Sequence, residues 1–455
     1  MKKQLPALIS IVFLLVVWQV AAQIINHPEL FPSVLQSLQT LGLLFITPLF
    51  YQSLGATILR GLTGILFSLV LAGSFAVLFA RYKYLYEAFR PILTLMRSIP
   101  VVSFILLALI YLHAESIPLI IAFLVMFPLL TENLTKGILH LKPAYTHMAQ
   151  VFLITGKRRL LHIYYPQIKP FLFSGLSSAL GFGWRAIIMG EVLAQCTWGI
   201  GSEMKRAQVF IEVPELLAWT IIAIVISFIF DKGIARLEKL RLPLSFPAID
   251  REIPLIHSDI QMEDIAFSYN DKKVIDHFTF TFHSGKIYGV SAPSGAGKTT
   301  LLNLINGILI PDKGIFCIDR SRGIASLFQE PLLLPDLSVL ENCLLPLSAC
   351  YSKEKATGRV REILSRFQME EYVDRMPDEL SYGQQQRVAM VRALAFPSPF
   401  LLMDEPFKGL DKELIYIITD YIKARQQTKN QLLIFTSHKK EELELLADEL
   451  IYFPK

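Results

Sequence analysis

Between Gly289 and Asn303 the chain reads GVSAPSGAGKTTLLN, a set of residue types suited to holding phosphate. An apolar run, Ile287 to Val290, gives way to a small-residue loop, and Lys298-Thr299-Thr300 opens a helical pattern through Leu301, Leu302, Leu304 and Ile305. In that strand, loop and helix order, Gly295 and Gly297 let backbone N–H groups close around phosphate oxygens. The helix start favours negative charge, Lys298 neutralises terminal phosphates, and the Thr299 hydroxyl can reach Mg²⁺. Ala292 stands at the first position, where the usual pattern has glycine. Its methyl group is tolerated only if the residue keeps a negative φ.

A second motif, Phe400 to Phe407, reads FLLMDEPF. The apolar run predicts a buried strand that delivers Asp404 and Glu405 at its carboxyl end, where open α/β sheets bind ligands. One carboxylate there can hold Mg²⁺ and the next can polarise an attacking water. A third motif, Leu380-Ser381-Tyr382-Gly383-Gln384, starts a helix with Ser381 as N-cap, and its unpaired N–H groups make an anion site.

These motifs must be positioned by a chain of 455 residues, 53% hydrophobic and 18% charged, with mean hydropathy +0.45. That is too apolar for a wholly soluble protein, and the excess lies before Arg241. The net charge of +5 comes from Lys and Arg in short loops between apolar runs, a pattern of basic inner loops rather than of a nucleic-acid surface. The four cysteines form no metal-ligand spacing and read as reduced thiols.

Six spans are expected: Leu5–Ala22, Leu54–Phe79, Ile92–Leu112, Ile117–Leu139, Phe171–Leu193 and Leu216–Phe230. The first could instead be a signal peptide. Leu38–Phe50, short and ending at Pro48, reads as interfacial or re-entrant. Basic residues put the N-terminus, the loops Arg81–Arg90 and Lys136–Lys169 and everything after Asp231 on the inner face. Arg185 and Glu191 fall in or near the fifth span, where packing is as good a reading as function, and neither is assigned to a ligand. The longest inner loop, Lys142 to Pro170, has helical apolar spacing and a basic cluster, suiting a cytosolic partner or the lipid surface.

After a proline-bearing linker, 241–257, strands are expected at Ile260–Tyr269, Phe278–Phe282, Lys286–Ser291, Ile324–Phe328, Phe400–Met403, Leu432–Thr436 and Glu449–Phe453. Helices are expected after Lys298 and across Ala356–Phe367, Gln384–Ala395 and Lys412–Ala424. The fold class is an all-α polytopic membrane domain, 1–240, fused to an α/β P-loop NTPase domain, 258–455. The chain stops directly after the last strand, so no appended regulatory domain is expected.

The order of P-loop, a single Gln, LS-x-GQ, the Asp-Glu strand and a late His resembles the ATPase of ABC transporters over nearly all of 260–455. The resemblance implies ATP and Mg²⁺ as cofactors. It implies nucleotide contacts from Tyr269 (stacking on adenine), Ser294, Gly295, Ala296, Gly297, Lys298, Thr299 and Thr300. Thr299, Gln329 and Asp404 would serve the metal, and Glu405, His438 and Gln329 catalysis. Ser381 and Gly383 would close the nucleotide site of a second copy, and Gln384 of the same signature and Asp411, similar to the D-loop aspartate, would also serve nucleotide binding. Tyr382 replaces the usual signature glycine. The membrane half, through Arg97-Ser98-Ile99-Pro100 and Tyr165-Pro166-Gln167-Ile168-Lys169-Pro170, resembles permeases of binding-protein-dependent importers. Its docking motif is degenerate around Met148-Ala149-Gln150. Implied is a homodimeric importer of the cytoplasmic (inner) membrane, embedded in lipid and fed by an extracytoplasmic substrate-binding protein, without nucleic acid. Sulfonates, taurine, nitrate or a vitamin precursor such as a thiamine pyrimidine are the candidate solutes. An exporter, or a membrane-anchored ATPase that carries no solute, is the alternative.

Overall fold

The computed structural model describes residues 5–27, 29–248, 250, 258–270, 272–293 and 295–452. The chain separates into two compact units: Met1–Leu141 with Gln167–Leu240, and Lys142–Pro166 with Arg241–Lys455.

The first unit is helical. Val34–Leu44 starts in a capping box, Ser33 accepting from the Gln36 N–H while the Gln36 side chain accepts from the Ser33 N–H. Pro48 was expected to end a short segment and instead opens the helix Pro48–Arg81. At a first helical position proline's missing N–H is no loss and its fixed φ suits the helix. One face of this helix is a stripe of small buried residues, among them Thr57, Gly61, Gly64, Ser68, Ala72 and Ala76. A Cβ on Gly64 would stand 3.0 Å from that of Ala122 on the next long helix, so the two backbones approach closely.

Among the described residues four helices are long and apolar enough to cross a membrane: Pro48–Arg81, Ala114–Leu139, Gly156–Ala194 and Val213–Glu238. The expected third span, Ile92–Leu112, is not one helix: Lys83–Ser98 and Val101–Tyr111 meet at a 92° bend, and counting this pair gives five crossings rather than six. Pro100 supplies no N–H and holds Ile99 extended, which breaks the ladder where composition alone reads continuity. The first helix, Leu5–Ile25, counts over its described stretch, Val12–Ile25, among the shorter ones.

Glu191 does not pair with Arg185. Its fully buried carboxylate accepts from the Thr57 hydroxyl at 2.9 Å, the Gly201 N–H at 3.0 Å and Arg60 Nη1 at 2.6 Å, while Arg60 Nη2 reaches Glu115 at 2.5 Å. A charge buried this way is tolerated because each oxygen has a donor.

Among its described residues the second unit has eight strands: β1 (Ile260–Tyr269), β2 (Lys272–Phe282), β3 (Ile287–Ser291), β4 (Lys313–Cys317), β5 (Ala325–Leu327), β6 (Phe400–Asp404), β7 (Leu432–Ser437) and β8 (Glu449–Tyr452). β2, β1 and β4 form an antiparallel sheet in that order, and a parallel sheet runs β5-β6-β7-β3-β8. β4 is short, largely exposed and absent from the sequence expectation, as are the helices Val339–Leu347 and Lys440–Leu446. β3, β6 and β7 are buried along almost their whole length, which explains their near-continuous apolar sequences.

Lys142–Pro166 packs as part of this nucleotide-side unit. Pro143–Val151 is helical and is followed by Gly156–Arg159 and a π-helical turn, Leu160–Tyr164. Pro166 and Pro170, read as closing the inner loop, lie within the helix Tyr165–Ala194. Met148, Ala149, Phe152, Ile154 and Ile163 are buried in the same core as Leu334, Val388 and Phe396. The Val151 carbonyl accepts from the Ile324 N–H at 3.0 Å, beside Gly323, whose φ is +73°. A Cβ on Gly323 would stand 3.0 Å from both the Val151 oxygen and the Phe396 ring. Gly323→Ala is therefore expected to cost about 1–2 kcal/mol through left-handed strain and crowding. Thermal unfolding of the full chain checks this as a Tm lowered by several degrees.

Candidate functional site

The parallel register brings the three motifs together. Asp404 at the end of β6 pairs with Thr436 of β7, and Ser291 at the end of β3 pairs with Ser437. The loop after β3, the Asp404-Glu405 pair and His438 therefore leave one sheet edge side by side.

Gly295 and Gly297 have φ of +79° and +98°, conformations that any side chain would strain, and Gly297 leads into the helix Lys298–Ile305. Ala292 is not among the described residues with positive φ, which meets the condition its methyl group sets. Ser294 lies outside the described residues. The Lys298 ammonium is nearly buried and donates to the carbonyls of Ala292 at 2.6 Å and Pro293 at 3.1 Å. Burial lowers its pKa, and the nearby charges of Glu405 and Asp404 oppose that shift.

Asp404 accepts two hydroxyl bonds, from Thr299 at 2.8 Å and Thr436 at 2.7 Å. The Thr436 oxygen also accepts the Glu405 N–H at 3.1 Å, and so fixes the backbone of a residue whose φ is +48°. His438 Nε2 is 2.7 Å from Glu405 Oε1 and its Nδ1 is 3.3 Å from Lys298 Nζ. One neutral tautomer satisfies both contacts, with Nε2–H donating to Glu405 and Nδ1 accepting from Lys298. Sequence reasoning missed Thr436, because a threonine in an apolar strand carries no signal of its own. Thr436→Val leaves the Glu405 N–H and one Asp404 oxygen short of a partner. The expected cost is about 1–3 kcal/mol, read as a lower Tm with the far-UV spectrum unchanged.

A cavity of about 400 Å³ is lined by Tyr269, Thr299, Gln329 and Asp404, together with Ala144 and His147 of the inner-loop helix. Tyr269 is half-exposed and packs edge-on to Phe267 at 4.9 Å. The hydroxyl of Thr299, the carboxylate of Asp404 and the amide of Gln329 are hard oxygen donors of the kind Mg²⁺ takes in small number, with phosphates and water completing its shell. The donor set fits that ion.

Ser381, Gly383, Gln384 and Asp411 do not line this cavity. Ser381 accepts from the Gln384 N–H, and the Gln384 side chain accepts from the Ser381 N–H, capping the helix Tyr382–Ala395. Asp411 caps Lys412–Lys429 by accepting from the Leu414 N–H at 2.9 Å. A Cβ on Gly383 would lie 2.7 Å from the Gly409 carbonyl, so a side chain there would displace the loop before Asp411. Tyr382 is half-exposed and donates to the Gln329 carbonyl at 3.2 Å, joining this helix start to the segment that bears Gln329.

Arg392, fully buried on the same helix, donates to the carbonyls of Pro331 and Leu332, both at 2.8 Å, and lies over the Phe152 ring. Burial lowers its pKa to about 10, so it stays charged at neutral pH.

Residues 275–408 match the family described as ABC transporter, and residues 64–240 match the family described as binding-protein-dependent transport system inner membrane component. The chain is thus of the ABC transporter class, with permease and ATP-binding cassette fused in one polypeptide, and its permease part makes it a membrane protein. Among relatives, the spermidine/putrescine import ATP-binding protein PotA of Pasteurella multocida is 34% identical over 206 residues, 43% of this chain and 56% of that protein. The Fe(3+) ions import ATP-binding protein FbpC of Fusobacterium nucleatum is 34% identical over 202 residues, 42% of this chain and 54% of that protein. The chain therefore spans little more than half the length of these relatives. A dimeric structure of a bacterial ABC transporter cassette is 27% identical, covers 43% of this chain and 94% of that one, and has a TM-score of 0.40.

Proposed function

We propose that two copies of this chain form an importer that hydrolyses ATP to move a small polar solute across the cytoplasmic membrane, with the solute delivered by a separate binding protein. The observation that carries this reading is the burial of the inner-loop segment within the nucleotide-side core. Residues 142–166 follow one long apolar helix and run into the start of another, and Phe152, Arg392 and Pro331 link them to the segment beginning at Gln329. Movement of that segment would pull on the ends of both helices, a mechanical route from nucleotide to membrane.

In the reaction, the N–H groups of 295–299 and the Lys298 ammonium receive the phosphates, and Lys298 exchanges its carbonyl contacts for phosphate oxygens. Tyr269 offers a face for the base. Thr299, Asp404 and Gln329 would hold Mg²⁺, which neutralises charge on the phosphates when bound. Glu405 orients or deprotonates the attacking water, and His438, whose Nε2–H is hydrogen-bonded to it, holds that carboxylate in place. Ser381, exposed, and Gly383, half-buried, do not line the cavity of their own chain and would close the site of the other copy. The relatives' names cover a polyamine and a metal ion, so the solute is not selected by likeness; sulfonates, taurine, nitrate and thiamine pyrimidines remain candidates.

The test is ATP turnover by the purified chain in lipid vesicles, with and without Mg²⁺. Wild type is expected to hydrolyse ATP only with the metal, and Lys298→Ala to lose at least about 100-fold of kcat/KM. Turnover undiminished in Lys298→Ala would exclude this site.

A further inference from the structure

The first unit contains a groove of about 730 Å³ between the helices Val101–Tyr111, Tyr165–Ala194 and Val213–Glu238. Its walls are largely apolar, with Ile188, Met189 and Phe228 prominent, and two charges open into it, Arg185 and Asp231. Both are exposed, and among the described residues neither makes a hydrogen bond or an ion pair. The arginines around them behave differently: Arg60 pairs with Glu115 and Glu191, Arg97 with Glu132, and Arg206 with Glu203 and Glu215. Arg185 lies well inside a helix long and apolar enough to span a membrane, whereas Arg81 and Arg236, which also make no ion pair among the described residues, stand in the last turns of theirs. A guanidinium in such a segment is costly against hydrocarbon, so its face must meet water, a solute or protein.

The vertical placement of the two charges follows from Trp184. Its indole N–H donates to the Ala223 carbonyl at 3.0 Å, and its ring packs edge-on to Phe230 at 5.3 Å. Position 185 is therefore level with the 223–230 stretch, and Asp231 comes directly after that stretch on the same helix. A fixed cation and a fixed anion, set apart on an apolar wall and not neutralising each other, are complementary to a molecule that carries both charges at its two ends.

We propose that this groove binds a small zwitterionic organic solute, with its acidic group on the Arg185 guanidinium, its cationic group toward Asp231 and its hydrocarbon middle on Ile188, Met189 and Phe228. Arginine's planar fork suits a carboxylate, sulfonate or phosphonate end. The inference rests on the reading of the chain as a solute importer and narrows its substrate class.

The test uses the full chain in lipid nanodiscs and reads the unfolding midpoint with about 10 mM of each probe. The probes are ω-amino acids of two to six carbons, with the matching carboxylates and amines that carry one charge. At least one ω-amino acid is expected to raise Tm by about 2–3 °C while its singly charged counterparts do not. Arg185→Gln should abolish that shift, and Asp231→Asn should change the preference to the plain carboxylate, a switch that loss of packing would not produce. The proposal is overturned if no ω-amino acid shifts Tm, or if the shift survives Arg185→Gln. It is equally overturned if either variant splits a two-copy particle into single copies, since the charges then belong to an interface. ATP turnover in the same discs separates the two readings: hydrolysis without a charge-selective shift removes the groove and leaves the ATPase, and a shift without hydrolysis does the reverse.

Discussion

Glu405→Gln is expected to lower kcat for ATP by at least about 100-fold while ATP half-saturation changes by less than about threefold. The amide keeps the size of the side chain and can still hydrogen-bond His438, so the phosphate loop and Lys298 are untouched. What is lost is the carboxylate's capacity to take or orient a proton on the attacking water. The geometry makes Glu405 unusual among the acids of this unit: it follows a buried strand, holds a left-handed backbone, and is fixed by both Thr436 and His438. A surface carboxylate engaged only with His438 and Lys408 would tolerate the change, and turnover within about threefold of wild type would reduce Glu405 to that role. Lys408→Ala is the matched control, since its ammonium is 3.9 Å from Glu405 and largely exposed, and it should leave kcat within about twofold.

The second large effect is expected at Phe152. Its ring is 1% exposed, meets Phe396 edge-on at 5.2 Å and carries the Arg392 guanidinium on its face. Truncation to alanine removes about 3–5 kcal/mol of packing and leaves the buried Arg392 without its ring. Thermal unfolding should show a marked loss. The functional expectation is more particular: under conditions where the variant stays folded, ATP turnover persists but no longer responds to solute and binding protein. Phe152→Leu, which refills most of the space, should recover stability and part of the coupling. Coupling retained in a folded Phe152→Ala would mean that the inner-loop segment is scaffold rather than transmission.

The chemistry was more legible than the mechanics. The residue types around Lys298, Asp404 and Ser381 are dictated by backbone conformations and strand ends that sequence encodes locally, and each occupies the element expected of it. The contacts that make them a unit were not legible. Thr436, which ties Asp404 to Glu405, is an ordinary strand threonine until β6 and β7 pair in register. Tyr382 reads as a missing glycine, and only the fold gives its hydroxyl the Gln329 carbonyl. In the membrane half, hydropathy registers how apolar a segment is but not where its axis turns, so the bend before Val101 passed as a straight span. Glu191 was visible as a charge in a span, but Arg60, its partner, lies 131 residues away in sequence, a separation that no periodicity reports. The Lys142–Pro166 loop has amphipathic spacing, yet spacing cannot say which core its apolar face joins.

ATP turnover per chain in nanodiscs sorted to contain one copy or two tests the proposed importer. In that proposal Lys298, Asp404 and Glu405 of one chain work in a site completed by Ser381 and Gly383 of another. Two-copy discs are then expected to hydrolyse ATP, and one-copy discs to be slower per chain by at least about 100-fold. Equal turnover per chain in both would contradict it, since a single copy would then hold a complete site.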